Sequence, residues 1–150
     1  MEYRLTLAGD IPVDQVVECA VPALAQHPKP TEFGEMLSAD LYDQYGFALS
    51  VVPGQDGYYD AQDDDGSRWE WEPAAYVDVD FRMRADDLVD KGIPHMLTVV
   101  ARVLDCQQED AALVQNGSLL LATRVRGVLL KHHRTRWWDH YGFVNDILPG

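Results

Sequence analysis

The sequence predicts an α+β fold in which a mostly antiparallel sheet has two helices packed on one face. Three observations support this fold class. Several short segments alternate apolar and polar residues, only two longer segments have helical spacing, and short turns join consecutive strands. The predicted order is β-α-β-β-β-α-β-β-β, and we expect the 150 residues to form a single domain, 1–150.

The first two elements are a strand and a helix. Residues 1–8 alternate with apolar side chains at the odd positions from 3 to 7, and Gly9-Asp10 ends the strand. Residues from about 13 to 25 repeat apolar side chains at spacings of three and four, which predicts a helix. Because Pro22 interrupts this pattern, we expect the last turn of the helix to be irregular.

The next predicted strand is the apolar run at residues 47–52. We expect the turn dipeptide Pro53-Gly54 to close it and Asp56-Gly57 to mark a second turn. Residues 36–41 form too short and ambiguous a run to count as a strand. Residues 58–67, with the sequence YYDAQDDDGS, are predicted to be a polar loop that cannot bury a core.

Two further alternating segments, at residues 68–72 and 75–84, are also predicted strands. The second is the clearest strand pattern in the chain. Its odd-numbered positions are apolar, and they are Val77, Val79, Phe81 and Met83. Its even-numbered positions are mostly polar or charged, and they are Tyr76, Asp78, Asp80, Arg82 and Arg84.

A second helix is predicted from residue 93 or 94 to residue 105. Pro94 suits a first helical turn, and the apolar residues that follow fall on one face. Asn116-Gly117 is the strongest two-residue hairpin signal in the sequence, and Arg126-Gly127 marks another turn. These turns separate the last three predicted strands, at residues 112–115, 118–125 and 128–132.

The chain is strongly acidic in one region. Twelve Lys and Arg against 25 Asp and Glu leave a formal net charge of -13, and between residues 32 and 80 the only basic residue is Arg68. A protein of this charge is repelled by nucleic-acid phosphates and by anionic lipid surfaces. We therefore expect a neutral or basic protein partner and neither a nucleic acid nor a membrane.

The two cysteines and the N-terminal segment lead us to expect a cytoplasmic protein. Cys19 and Cys106 are too few for a disulfide framework, and each lies in or beside an apolar helical pattern, where a reduced thiol acts as a small hydrophobe. The first residues, MEYRLTLAGD, have no signal-peptide pattern, and no segment reaches the roughly 18 apolar residues of a membrane span.

The acidic middle segment is the predicted partner-binding site. Aromatic side chains give contact area at little entropic cost, and carboxylates steer a basic partner and speed its association. A purely solvated loop is the alternative interpretation of the same residues. The predicted partner-binding residues are Tyr58, Tyr59, Asp60, Asp63, Asp64, Asp65, Trp69, Glu70, Trp71 and Glu72.

The same segment partly matches an EF-hand loop. When Gly66 is placed at the glycine position, Asp63 and Asp65 fall at ligand positions and Glu72 falls at the bidentate position. The first ligand position holds Ala61, and a strand pattern stands where an exiting helix should begin. We therefore expect no calcium, no other metal and no cofactor.

Histidines and a basic aromatic tail are the remaining candidates. His132 and His133 are adjacent and should face opposite sides of a strand, and neither they nor His95 and His140 have metal-ligand spacing. The segment with Arg134, Arg136, Trp137 and Trp138 could bind nucleic acid, but the net charge opposes this. We expect its two tryptophans to cap the core.

Sequence motifs of common enzymes are missing, so we expect no catalytic residues. The alternative is a small hydrolase or ligand-binding enzyme that uses carboxylates of the middle segment, brought together only by folding. The two interpretations predict different sites. A binding protein should have an exposed acidic and aromatic surface, whereas an enzyme should have a cavity that holds carboxylates of perturbed pKa.

The C-terminal half resembles the Sit-type immunity proteins, which protect bacteria from swarming-inhibition toxins and related polymorphic toxins. The resemblance covers residues 3–7 and about 77–138, and the acidic middle segment has no counterpart in it. The matching segments are YRLTL, VDVDFRMR, DDLVDKG, MLTVVARVL, DAALVQNGSLLLATRVRG and VLLKHHRTRWW. The resemblance implies an intracellular immunity protein that binds and neutralises a cognate toxin and catalyses no reaction.

Overall fold

The computed structural model describes residues 1–24 and 26–150 and is built around one ten-stranded sheet. The strands are β1 (Glu2–Ala8), β2 (Lys29–Pro30), β3 (Leu37–Leu41), β4 (Phe47–Gln55), β5 (Tyr59–Gln62), β6 (Arg68–Trp71), β7 (Ala75–Met83), β8 (Ala111–Gln115), β9 (Leu119–Val125) and β10 (Val128–Lys131). Their order is β2-β3-β4-β7-β1-β8-β9-β5-β6, with β10 paired to β9. The described pairs are antiparallel except β5 and β9, which meet at a parallel bridge between Gln62 and Leu119.

In the part of the chain that the structure describes, four α-helices accompany the sheet. They are α1 (Val13–Ala20), α2 (Tyr42–Tyr45), α3 (Ile93–Cys106) and α4 (Val144–Ile147), with short 3-10 segments at Val21–Ala23 and Ala85–Asp87 and π-helical segments at Leu88–Gly92 and Arg134–Trp138. The two longest, α1 and α3, pack against each other and against one face of the sheet. This confirms the predicted α+β class. Among the described residues, none of the helices combines the length and apolar character needed to span a membrane.

The main core lies between the sheet and these helices. It forms because the alternating patterns of β1 and β7 pair in register and direct their apolar parities to the same face. The buried cross-strand pairs are Tyr3 with Phe81, Leu5 with Val79 and Leu7 with Val77. The polar parities of both strands therefore lie together on the opposite face, which we call the second face.

A β-hairpin formed by β5 and β6, which we call the β5–β6 hairpin, covers part of the second face. Ala61 of β5 is buried there with Ala112, Val114 and Leu120 of β8 and β9. The prediction of a polar loop over residues 58–67 was therefore wrong for residues 59–62, whereas residues 63–67 do form a polar turn. The strand pattern was missed because β5 buries only the small side chain of Ala61. The large apolar side chains that hold the hairpin on the sheet, Trp69 and Trp71, belong to β6.

Strand β4 is longer than predicted and has a neighbour that the sequence pattern did not identify. It continues through Pro53 and Gly54 to Gln55, because the ring of Tyr76 on β7 packs over Gly54, where a Cβ would lie 2.2 Å from the Tyr76 hydroxyl. Asp56, with a φ of 54°, then begins the turn. Strand β3 pairs with β4 and lies within residues 36–41, which were too few to count as a strand.

The two hairpin turns of the C-terminal half are confirmed. Asn116 and Gly117 have φ values of 52° and 66°, and Arg126 and Gly127 have φ values of 52° and 81°. Positive φ at both central residues is what a two-residue turn needs to match the twist of its strands. Helix α3 also matches its predicted range of residues 93–105 closely.

The first helix ends where Pro22 predicts an irregular turn. Helix α1 stops at Ala20, and a 3-10 turn follows at Val21–Ala23. Leu24 is already extended, and Ala25, the predicted end of the helix, lies outside the described residues.

A disulfide joins Cys19 near the end of α1 to Cys106 at the end of α3, with the Cα atoms 5.8 Å apart. The expectation of two reduced thiols was therefore wrong. The cysteines are 87 residues apart in the chain, so their proximity depends on the packing of α1 against α3, which no local pattern shows. The disulfide fixes the two main helices to each other on the core side of the sheet.

Candidate functional site

All ten residues predicted to bind a partner lie on the β5–β6 hairpin or directly beside it. The structure therefore brings them into one region, but it divides them among an outer face, an inner face and a tip. Residues on the outer face point away from the sheet, residues on the inner face point toward it, and the tip contacts the segment that follows β10.

The outer face of the hairpin holds a small ionic network. Arg68 Nη2 lies 2.8 Å from Asp60 Oδ2, and Arg68 Nε lies 3.4 Å from Glu70 Oε1. Tyr58 donates its hydroxyl to Glu70 at 3.1 Å and accepts a hydrogen bond from Arg68 at 2.7 Å. These side chains are exposed, so their pairing contributes little to stability and leaves them accessible to a partner.

The inner face of the hairpin is aromatic. Trp69 and Trp71 have ring centroids 5.9 Å apart and pack on the second face against the cluster around Ala61. They share a face, with Glu70 opposite, as their spacing of two residues on a strand predicts. That face is turned to the protein, so both tryptophans are half-buried and their first role is to seat the hairpin.

Tyr59 ties the hairpin to the centre of the sheet. Its hydroxyl donates to the carboxylate of Asp78 on β7 at 3.0 Å, and its ring contacts Trp71 and Tyr76. Burial, together with the negative charge of Asp78, raises the pKa of Tyr59, so the phenol stays protonated and keeps donating.

The tip of the hairpin is bound to the segment after β10. His132 Nδ1 lies 2.7 Å from Asp63 Oδ1, and the backbone N–H of His133 donates to Asp64. The other ring nitrogen of His132 contacts Thr123 Oγ1 at 3.2 Å. The tip is therefore tied to this segment through Asp63 and Asp64, while residues 64–67 remain exposed to solvent.

The expectation that the two histidines face opposite sides of a strand does not apply, because neither lies in a strand. Strand β10 ends at Lys131, and His133 adopts a left-handed conformation with a φ of 57°, so the strand geometry does not extend to this pair. Both histidines are buried, and His133 Nε2 lies 2.9 Å from the carbonyl oxygen of Gln62.

The acidic tip differs from an EF-hand loop. It joins two strands, and Asp65 accepts hydrogen bonds from Ser67, which lower the pKa of Asp65. Candidate ligand atoms of Asp63, Asp64 and His132 lie within 4.8 Å of one another. Asp63 and both ring nitrogens of His132 already contact protein groups, which does not favour a metal there. The expectation that the site binds no metal stays a prediction.

A polar network on the second face was not among the predicted site residues. Arg4 Nε lies 2.5 Å from Asp80 Oδ1 and 3.7 Å from Asp78 Oδ2, and Thr6 donates its hydroxyl to Asp78 at 2.6 Å. Burial raises the pKa of both carboxyl groups. The sequence indicated this network only through the alternating polar residues of β1 and β7. The pairing of the two strands, which the sequence does not show, places Arg4 opposite Asp80 and Thr6 opposite Asp78.

A cavity of about 310 Å³ opens between the β5–β6 hairpin and the second face. Its lining comes from three parts of the chain: Glu2, Arg4 and Thr6 of β1, Tyr58, Tyr59, Asp60 and Trp69 of the hairpin, and Ala112, Val114, Asn116 and Gly117 of β8 and its turn. Two of these residues, Arg4 and Thr6, belong to the polar network of the second face. Three others, Tyr58, Tyr59 and Trp69, are aromatic. Glu2 and Asp60 provide carboxylates at the cavity with side-chain exposures of 48% and 45%.

This cavity bears on the enzymatic alternative. Carboxyl groups of raised pKa lie behind it, as an enzyme would require. However, Asp78 is 5% exposed, and its oxygens accept hydrogen bonds from Thr6 and Tyr59. The carboxylates that line the cavity directly are those of Glu2 and Asp60, and both side chains are about half exposed.

The basic aromatic tail places its two tryptophans in the core and leaves Arg134 and Arg136 exposed. Trp137 and Trp138 are buried, and the indole of Trp138 donates to the backbone oxygen of Leu121 at 2.9 Å. Lys131 lies over the ring of Trp138, 4.4 Å from its centroid. The expectation that these tryptophans cap the core is confirmed.

Comparison with protein-family models gives one finding that relates this architecture to known proteins. The model described as SitI3-like matches residues 1–142. The chain belongs to the SitI3-like family. No curated protein and no solved structure gave a match.

The extent of this match corrects the resemblance drawn from the sequence. That resemblance left the acidic middle segment without a counterpart, whereas the SitI3-like match runs through it. The β5–β6 hairpin and the cavity beneath it therefore lie within the matched region. Membership is consistent with a Sit-type immunity protein, and it suggests a role without catalysis.

Proposed function

We propose that this SitI3-like protein is an immunity protein that binds a cognate protein toxin and neutralises it. The observation that supports the proposal most strongly is the family match over residues 1–142. The proposed site is the outer face of the β5–β6 hairpin together with the rim of the adjoining cavity.

Charge supports a basic surface on the toxin. The protein has a formal net charge of -13, and the outer face of the hairpin exposes Asp60, Glu70 and Glu72. An acidic protein attracts a basic partner over distances of about a Debye length, roughly 8–10 Å at physiological salt, and so speeds productive encounter. A basic toxin whose own substrate is polyanionic would be blocked by an acidic protein that covers its binding groove.

The way the hairpin is attached also supports this site. Tyr59 ties its base to Asp78, Asp63 ties its tip to His132, and Trp69 seats its inner face on the sheet. A segment already held in one conformation loses little entropy when a partner binds to it. The exposed outer residues are thus presented in a fixed arrangement.

The proposal is tested by co-expression in bacterial cells with the candidate toxin encoded beside the gene for this protein. We expect wild-type protein to restore growth and the Asp60→Asn/Glu70→Gln variant to protect less at equal expression. The matched control is Asp14→Asn/Glu18→Gln, which removes the same charge from exposed positions on α1. Loss of growth with wild-type protein present at an excess over the toxin would refute the immunity role.

One observation favours the second candidate function, a small hydrolase or ligand-binding enzyme. The cavity of about 310 Å³ lies at the lower end of the roughly 300–1,000 Å³ typical of ligand sites. Saturable turnover of a small substrate that is lost in Asp60→Asn or Asp78→Asn would favour this candidate over toxin binding.

The compartment in which the protein acts is part of the proposal. The sequence predicts the cytoplasm, but the Cys19–Cys106 disulfide opposes it, because such bonds persist mainly in oxidising compartments. Thiol labelling of the protein taken directly from cells decides between them. Two blocked cysteines indicate an oxidising compartment, and two labelled cysteines indicate the cytoplasm.

A further inference from the structure

We propose that the cavity between the β5–β6 hairpin and the second face receives an arginine side chain of the toxin. This inference rests on the proposed function and deepens it, because it names the group that the site recognises. Nothing in the family match assigns a ligand to this cavity.

The size and position of the cavity suit a single side chain. Its volume, about 310 Å³, is at the small end for a ligand site, and it opens beside the outer face that we propose as the toxin contact. A side chain projecting from a partner that covers the hairpin would therefore enter the cavity without any movement of the sheet. Pockets at the centre of protein interfaces commonly hold the anchor residues of the partner.

The charges around the cavity select a cation. Glu2 and Asp60 contribute carboxylates to its lining, and Asp78 and Asp80 lie behind Arg4. Arg4 does not reverse this sign, because its single positive charge is shared among Asp78, Asp80 and, at 3.9 Å, Glu2. Oδ2 of Asp60 pairs with Arg68, and Oδ1 accepts no hydrogen bond from the residues that the structure describes.

The aromatic residues favour a flat cation. Tyr58, Tyr59 and Trp69 line one side of the cavity. A guanidinium stacks on aromatic faces, is less strongly hydrated than an ammonium group and can donate two parallel hydrogen bonds to a carboxylate. The site therefore fits arginine better than lysine.

The rim of the cavity already binds one guanidinium of this protein. Arg68 donates to the Tyr58 hydroxyl at 2.7 Å and pairs with Asp60 and Glu70. Two of those partners, Tyr58 and Asp60, also line the cavity. The arrangement of a phenol oxygen and a carboxylate around a guanidinium is thus present at the mouth. A second guanidinium would find the free oxygen of Asp60 and the carboxylate of Glu2, which is paired only loosely, at 3.9 Å, with Arg4.

The first experiment uses the purified protein and a small probe, N-acetyl-arginine amide, in a titration at low salt followed by amide and indole NMR signals. We expect saturable shifts of the Trp69 indole and of the Asn116 and Gly117 amides. Much weaker shifts are expected with N-acetyl-lysine amide and with N-acetyl-citrulline amide, the uncharged analogue. Equal shifts with all three probes, or shifts spread over the surface, would overturn the assignment.

Two charge-removing variants test whether the arginine probe binds at this cavity. Glu2→Gln/Asp60→Asn should weaken the affinity for the arginine probe several-fold, whereas Asp14→Asn/Glu18→Gln, which removes equal charge on α1, should leave it unchanged. Both changes keep side-chain size and lie at exposed positions, so each variant is expected to fold. An equal loss in the two variants would show a net-charge effect and contradict a specific site.

The second experiment uses the toxin and separates this inference from the proposed function. Glu2→Gln/Asp60→Asn should weaken toxin binding about tenfold or more, chiefly through faster dissociation. Unchanged toxin affinity in this variant would overturn the arginine pocket while the immunity function stands. Failure of the wild-type protein to bind the toxin would refute the proposed function, and the probe titration would still decide whether the cavity binds a guanidinium.

Discussion

Asp78 shows at the level of a single residue how the site is built. It is a carboxylate on the sheet, 5% exposed, with Thr6 and Tyr59 as donors and Arg4 nearby. Burying a carboxyl group without such partners would cost several kcal/mol, so the three neighbours are what make its position tolerable. The same residue joins the hairpin to the sheet through Tyr59, which lines the cavity.

The stability of the protein should depend on pH through Asp78. Burial raises the pKa of this group above its ordinary value of 3.8, so the folded state binds the proton more tightly than the unfolded state does. Its stabilising contribution is therefore present below the ordinary pKa and lost as the pH rises through the raised pKa. Asp78→Asn cannot ionise, so its free energy of unfolding should improve relative to wild type as the pH rises above about 4.

This prediction is checked by urea denaturation of both proteins at several pH values. The informative quantity is the difference in the free energy of unfolding between the variant and wild type, since pH effects from groups that do not interact with Asp78 cancel in it. A difference that stays constant, or that moves against the variant as the pH rises, would contradict the raised pKa of Asp78.

At the scale of the element, the β5–β6 hairpin combines two functions on its two faces. Trp69 and Trp71 attach it to the second face, and Asp60 and Glu70 remain exposed on the other side. The alternation of strand side chains makes this separation possible, because neighbouring residues point in opposite directions.

Truncation of the hairpin tryptophans should weaken the fold. Trp69→Ala and Trp71→Ala should each lower the free energy of unfolding by about 2 kcal/mol, less than the roughly 3–5 kcal/mol of a fully buried tryptophan because both are half-buried. Glu70→Ala, on the opposite face of β6, should change it by less than about 0.5 kcal/mol. Chemical denaturation followed by circular dichroism measures all three, and full stability in both tryptophan variants would show that the hairpin is not seated on the sheet.

The disulfide between α1 and α3 should be a large contribution to stability. It closes a long loop, since its cysteines are 87 residues apart, and cross-links of this kind typically contribute about 2–4 kcal/mol. Cys19→Ser/Cys106→Ser should lose about that amount. Wild-type protein treated with a reductant should lose the same amount, and the double variant should not respond to the reductant; a response by both proteins would point to a different cause.

The sequence predicted elements that have a periodic pattern or a turn signal of their own. The strands at residues 75–83 and 119–125, helix α3 and the Asn116-Gly117 turn are of this kind. What it missed depends on distant parts of the chain. Ala61 is buried only because Trp69 and β8 surround it, and the Cys19–Cys106 disulfide needs α1 packed on α3. The cavity likewise forms only after β1 pairs with β7 and the hairpin folds over them.

The whole molecule separates its tasks between the two sides of the sheet. The helices α1 and α3 and the disulfide stabilise one side, and the proposed toxin site occupies the other. The net charge of -13 acts over both sides and is expected to control the rate of encounter more than the lifetime of the complex.

The most direct test of toxin binding measures association of the purified protein with the candidate toxin by surface plasmon resonance at low and high salt. We predict saturable binding, with an association rate that falls as salt rises and that is reduced by Asp60→Asn/Glu70→Gln more than by Asp14→Asn/Glu18→Gln. No binding of an active toxin at micromolar protein would contradict the account, and equal effects of the two variants would place the contact outside the β5–β6 hairpin.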